Sequence, residues 1–236
     1  MDFSRFQVCS FDCYGTLVDW ESGILSVLRP IVQEHGHDLD DASILALFAE
    51  LERDAERREY QPYRKILEGV VWGLGKVLKF NPTAAEAHAL PESLPNWSPF
   101  EDTPLALRAL KRQYKLAVIS NVDDDLFAAT QVRVGIEFDF IVTAQQAQAY
   151  KPSLKIFQLA EERMDVSRDC WLHAAQSIYH DVIPAESLGI ATVWVNRPSV
   201  RPGAGAAAAA SAHPDLEVTN LAALAELASG AATSGI

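Results

Sequence analysis

Five short apolar runs set the strongest constraint on how this chain can fold. They are Phe6 to Phe11, Leu116 to Ile119, Phe138 to Val142, Trp171 to Ala174 and Ala191 to Val195, and helical patterns separate them. Runs of that length, bounded by polar or small residues, read as buried strands; alternation with helices implies a parallel sheet with crossover connections. The interval between the first and second runs is far too long for one crossover. From about Trp20 to Leu90 it carries three or four amphipathic helical stretches and no strand signal. The clearest is Asp41 to Glu59, where Ile44, Leu45, Leu47, Phe48 and Leu51 form an apolar face. Its charged end, Glu52 to Glu59, reads as a solvated face. Pro91, Pro95 and Pro99 punctuate the return to the alternating pattern. The expected architecture is α/β: a Rossmann-like parallel-sheet core over residues 1–18 and 96–236, and an α-helical insert over 19–95. Pro198 to Pro214 reads as an Ala/Gly-rich connector, Thr219 to Ala228 as a closing helix, and the last residues as a frayed tail.

Composition narrows the partners. Of 236 residues, 49% are hydrophobic and 22% charged, an ordinary globular balance. No apolar run approaches the roughly 18 residues a membrane span needs. Met1 to Arg5 lacks the basic-then-apolar pattern of a secretory signal, so a cytoplasmic protein is expected. A net charge of −12 opposes binding to nucleic acid or an anionic membrane. Cys9, Cys13 and Cys170 are an odd count in apolar runs, which predicts reduced, buried thiols, and their spacing gives no zinc site.

The residues that carry chemistry follow the predicted strands. Phe11-Asp12-Cys13-Tyr14-Gly15-Thr16-Leu17 closes the first strand and places a carboxylate where parallel sheets open their ligand crevice. Gly15 permits a sharp turn, and Thr16 offers a hydroxyl and an N–H to the crevice. The second strand ends in Ser120-Asn121, small polar groups suited to an anionic oxygen. The third is followed by Tyr150-Lys151-Pro152, where Pro152 holds Lys151 extended and starts the next helix. The fourth runs into His173-Ala174-Ala175-Gln176-Ser177-Ile178-Tyr179-His180-Asp181, where Asp181 is placed to cap the helix ending near Gly189. Singly these are a turn, a surface lysine and a helix cap. Together they put two carboxylates, a hydroxyl and an ammonium around one crevice. His173 and His180 read as hydrogen-bonded structural histidines.

In that order the four segments resemble motifs one to four of the haloacid dehalogenase superfamily, and the helical insert resembles its cap domain. The resemblance spans Phe6 to about Arg197. It implies that Asp12 is a nucleophile, that Lys151 neutralises it and the bound anion, and that Asp181 orients Lys151 or the hydrolytic water. Thr16, Ser120 and Asn121 would bind substrate oxygens. The superfamily's phosphatases carry a second Asp two residues after the nucleophile and further acids in motif four for Mg²⁺. Here Tyr14 and Gln176 stand at those places, a poor donor set for a hard cation. No cofactor and no metal are expected.

The Asp-x-Tyr-Gly-Thr-Leu form is similar instead to the L-2-haloacid dehalogenases, which attack carbon without metal. Phe157 stands six residues after Lys151 where those enzymes commonly have Tyr. Arg53, Arg57, Arg58 and Arg64 are candidates for a cap arginine that cradles carboxylate or halide. The stretch Gln176 to Asp181, with Asp19-Trp20 and Asn96-Trp97, is closer to a subgroup that includes the ring-opening hydrolase of azetidine-2-carboxylate. Tyr14, Trp20, Trp97 and Phe100 are candidate pocket walls, with Tyr14, Trp20 and Gln176 the expected substrate contacts. The resulting expectation is a hydrolase displacing halide or ring nitrogen beside a small carboxylate. The alternatives are a small-molecule phosphatase and a non-catalytic anion binder. A homodimer remains open.

Overall fold

The structure, a computed structural model, describes residues 1–198, 206 and 210–233. Most of the Pro198 to Pro214 connector and the extreme C-terminal tail lie outside the described residues. Five strands form where the apolar runs stand: β1 (Val8–Phe11), β2 (Lys115–Ser120), β3 (Phe140–Thr143), β4 (Trp171–Ala175) and β5 (Ala191–Val195). A sixth, β6 (Leu216–Val218), extends the sheet at one edge. The order is β3-β2-β1-β4-β5-β6, every pair parallel. All four residues of β1 are buried, as a central strand covered on both faces requires. β1 lies between β2 and β4, so the strand order reverses at its C-terminal end, where an open parallel sheet forms its crevice.

The expected helical interval holds α1 (Trp20–Glu34), α2 (Asp41–Glu56), α3 (Tyr63–Leu78) and α4 (Ala84–Ser93) and no strand. After it come α5 (Thr103–Leu110), α6 (Asp124–Val134), α7 (Ala144–Ala147), α8 (Leu154–Met164), α9 (Ile183–Ser187) and α10 (Leu221–Thr233). Helix starts follow local chemistry. Asp19 and Asp40 accept the amides of Ser22 and Ser43, and Thr83 and Glu86 close a reciprocal capping box on α4. Helix α2 ends at Glu56, before Pro62 would bar continuation, so the run stops short of Glu59.

Helix α3 is the exception, because Pro62 precedes it and offers no side-chain cap. Its first amides are satisfied from the sheet side. Both oxygens of buried Asp123, in the loop after β2, accept the N–H groups of Tyr63 (2.8 Å) and Arg64 (3.0 Å). This carboxylate also meets the positive end of the helix dipole.

Several local expectations are corrected. Helix α8 starts at Leu154 with Ser153 as its cap, so Pro152 lies outside it, after a cis peptide bond from Lys151. Ser177, not Asp181, caps the helical segment after β4, since its hydroxyl accepts the His180 amide. Pro91 sits inside α4. Cys9 and Cys13 are buried free thiols, but Cys170 is only partly buried. Trp97 is core: its ring packs edge-on to Tyr14 at 5.8 Å, and a Cβ at Gly23 would lie 2.4 Å from it, so only glycine fits there. Phe100 packs beneath the Arg197 guanidinium at 3.9 Å. Neither lines the crevice. Among the described residues no helix is long and apolar enough to cross a membrane.

Asp123→Ala is expected to destabilise the protein by about 1–2 kcal/mol, the ordinary worth of a lost helix cap. Urea unfolding should show a lower midpoint at an unchanged slope; an unmoved midpoint would show that α3 does not depend on this carboxylate.

Candidate active site

The site is assembled from the ends of β1, β2 and β4 and the loop after β3. Just past β1 the Asp12 amide donates to the Ala174 carbonyl (3.2 Å), which fixes it beside β4. The chain then turns so tightly that the amides of Thr16, Leu17 and Val18 all reach the Cys13 carbonyl. Gly15 adopts φ +93°, the left-handed region that glycine enters without strain. The turn brings the Thr16 hydroxyl back to Asp12, where it donates to Oδ2 at 2.7 Å while accepting the Gln176 amide at 2.9 Å. Thr16 is fully buried and lies off the cavity lining, so its observed task is to hold Asp12 and Gln176 in place.

Lys151 is the centre of the arrangement. Its side chain is 1% exposed, and its three N–H donors reach Asp12 Oδ1 (2.8 Å), Asp181 Oδ1 (2.7 Å) and the Ile119 carbonyl (2.9 Å). Asn121 fixes the backbone there, accepting the Lys151 amide at 2.7 Å and donating to its carbonyl at 3.3 Å. Burial opposes the charged ammonium, but Asp12 and Asp181 outweigh it and hold the Lys151 pKa above its ordinary value. The two carboxylates diverge. Burial raises the Asp12 pKa, against the pull of Lys151, and Asp181 adds to the rise. Burial also acts on Asp181, yet Lys151 and His173 together bring it below the usual range.

These groups face a cavity of about 440 Å³, open solvent included. Asp12, Tyr14, Trp20, Ser120, Asn121, Lys151, Gln176 and Asp181 line it, which brings together every expected site residue except Thr16. Ser120 Oγ and Asp181 Oδ2 are buried and have no hydrogen-bond partner among the described residues. The remaining lining is Glu52, Glu56, Tyr63, Ser177 and His180. Glu52 is a correction to the solvated-face expectation. It is 5% exposed and accepts the Tyr63 hydroxyl at 2.5 Å. Burial and neighbouring Glu56 push its pKa well up. Glu56 accepts from Asn121 at 3.0 Å and lies 3.5 Å from His180 Nε2. The signal was the spacing: Leu45, Phe48 and Glu52 share one helical face, so the buried stripe runs on into the charge run.

None of the four candidate arginines lines the cavity. Arg64 pairs with Asp125 (2.5 Å) and Asp123 (3.4 Å), Arg57 donates to the Tyr179 hydroxyl, Arg58 is exposed, and buried Arg53 Nε has no partner among the described residues. The helical wall therefore presents carboxylates where an arginine was expected. Among the described residues no three His, Cys, Asp or Glu side chains converge as a metal cage.

A deep crevice at a strand-order reversal, with a strand-end aspartate paired to a buried lysine, defines a class of hydrolase. The chain matches the haloacid dehalogenase-like hydrolase family over residues 6–189, more than half its length, and belongs to that family. It is 28% identical over 235 residues to a (S)-2-haloacid dehalogenase of Pseudomonas sp. (strain YL), covering 96% of this chain and 97% of the relative. It is also 28% identical to haloacetate dehalogenase H-2 of Moraxella sp. (strain B), covering 82% and 87%. Its fold superposes on the L-2-haloacid dehalogenase of Xanthobacter autotrophicus with chloropropionic acid covalently bound. The TM-score is 0.79 at 20% identity, covering 95% and 99% of the two chains.

One ammonium faces two carboxylates in the buried cluster, and the raised Asp12 pKa means that folding favours its protonated form. That preference stabilises at low pH and is lost as pH rises through the folded pKa. Asp12→Asn is therefore expected to keep or raise the melting temperature at pH 7, where the native carboxylate is the uncompensated one. A clear fall in melting temperature would show instead that Asp12 is a net stabilising partner of Lys151.

Proposed function

We propose that this protein is a metal-independent hydrolase that displaces a leaving group from the carbon beside a small carboxylate through an ester on Asp12. The observation that carries this is the state of Asp12: each of its oxygens is held by one donor, Lys151 Nζ or Thr16 Oγ1, at the floor of the cavity. A carboxylate so aimed and so little hydrated is a competent nucleophile toward carbon. Lys151 pulls against the burial that favours its neutral form and offsets the substrate's charge. Ser120 Oγ, buried without a partner among the described residues, supplies a donor for the substrate carboxylate, with Asn121 and Gln176 beside it. Tyr14 and Trp20 wall the space, and Asp181 handles the water that hydrolyses the ester. Residues 19–95 act as the cap over a core of 1–18 and 96–236. The missing acids at Tyr14 and Gln176 support activity without Mg²⁺, the net charge of −12 opposes nucleic-acid binding, and on this reading the protein is cytoplasmic.

Glu52 and Glu56 favour one leaving group over the other. Asp12 attacks from the sheet, so the departing group moves toward the helical wall. Halide leaving toward Glu56 meets a like charge, whereas a protonated ring nitrogen finds oxygen acceptors there on both Glu56 and Glu52. Ring opening leaves the nitrogen attached as an amine and forms the Asp12 ester. Water then releases the alcohol and restores the carboxylate.

A single turnover in H₂¹⁸O should yield mostly unlabelled hydroxy product and leave ¹⁸O on the Asp12 peptide; label in the first-turnover product would reduce Asp12 to a general base. Turnover should survive EDTA, and a requirement for Mg²⁺ with phosphate release would replace this reading by the phosphatase. Lys151→Ala should lose about a hundredfold in rate, as removal of one buried electrostatic contact typically does. Azetidine-2-carboxylate should be processed with a higher kcat/KM than (S)-2-chloropropionate. The reverse ranking would restore halide as the leaving group.

A further inference from the structure

His173 is deeply buried, titratable and unused in the scheme above. Its position follows from strand register. The β1–β4 ladder sets Ser10 opposite His173 and Val8 opposite Trp171, and Trp171 and His173 share one face of β4. Three hydrogen bonds result: Trp171 Nε1 to Ser10 Oγ at 2.6 Å, Ser10 Oγ to His173 Nδ1 at 2.7 Å, and His173 Nε2 to Asp181 Oδ1 at 3.1 Å. The Phe157 ring stands edge-on to the imidazole, 5.2 Å away, and holds its plane.

The proton positions along this chain are determined by its first member. An indole N–H only donates, so Ser10 Oγ accepts from Trp171. The Ser10 proton then goes to His173 Nδ1 at 2.7 Å, since the Leu172 carbonyl lies at 3.5 Å. Nδ1 is thereby the acceptor, and Nε2 carries the hydrogen that reaches Asp181. Lys151 and His173 both donate to the same oxygen, Oδ1. Rotating the carboxylate would forfeit both contacts. The second oxygen, Oδ2, is left buried, without a partner among the described residues, on a side chain that lines the cavity.

We infer that His173 is a positioning residue: locked as the Nε2–H tautomer by Trp171 and Ser10, it pins Asp181 Oδ1 so that Oδ2 is presented to the water that hydrolyses the Asp12 ester. The inference rests on the Asp12-ester reading and adds to it a buried relay that acts on the second chemical step alone. In that step Oδ2 accepts a proton from water, the water oxygen adds to the ester carbonyl of Asp12, and the alcohol leaves with the proton.

Two measurements on the full chain test it. With ¹⁵N-labelled histidine at pH 7, the His173 ring, assigned by its absence in His173→Gln, should show a bare Nδ1 and a protonated Nε2. A proton on Nδ1 overturns the inference whatever the substrate. In rapid-quench mass spectrometry, the probe is (S)-2-chloropropionate or azetidine-2-carboxylate, whichever the parent protein turns over faster. His173→Leu should form the Asp12 ester at close to the parent rate and hydrolyse it about tenfold more slowly or worse, so that ester accumulates. His173→Gln, which keeps an N–H donor, should recover much of that loss. Equal slowing of both steps, or a glutamine variant no better than leucine, would make His173 merely structural. If the parent protein forms no ester, the covalent reading fails, and the tautomer measurement alone then decides whether the relay exists.

Discussion

The buried ammonium of Lys151 is the contact on which the site depends. An ammonium taken out of water is tolerated only when paired and fully hydrogen-bonded. Here its three donors end on Asp12, Asp181 and the Ile119 carbonyl, one each from the ends of β1 and β2 and the turn after β4. The lysine is thus a three-point gauge of strand register: a slip in the sheet by one residue would leave a charge unpaired in the interior. The cluster carries more carboxylate than ammonium, a surplus that a purely structural core would shed. On the proposed reading, that surplus is what leaves Asp12 able to react.

A continuous polar line runs from this ammonium into the helical layer. Asn121 clasps the Lys151 backbone with both ends of its amide and donates to Glu56 as well. Four residues before Glu56, Glu52 is gripped by Tyr63. The wall of the cavity that faces the sheet is therefore polar and acidic, with Glu52 and Glu56 both in its lining. Relatives named for haloacids align with most of this chain.

Much of this was legible in the sequence, for identifiable reasons. Five buried strands announced themselves because a parallel strand covered on both faces has to be apolar throughout. β6 did not, since three residues of an edge strand, only Val218 of them buried, carry no such run. Asp12, Ser120, Asn121, Lys151 and Asp181 were found from their places at strand ends, but several tasks were not. Thr16 and Asn121 hold other site residues through hydrogen bonds that only the folded loops reveal. Asp181 reads as a helix cap from its chain neighbours alone, and its link to Lys151 came only from the family resemblance, because a partner 30 residues away leaves no local signal. Glu52 reads as surface in the sequence because the surrounding charge run masks its helical phase. No candidate arginine lines the cavity, and Arg57 and Arg64 pair instead with Tyr179 and Asp125.

Helix α3 follows a proline and has no capping side chain of its own; the carboxylate at its start belongs to Asp123, two residues beyond Asn121. The loop after β2 therefore carries both the amide that clasps the Lys151 backbone and the acid that starts a helix of the cavity wall. The setting of the lysine and the seat of α3 are in this way tied to one short piece of chain.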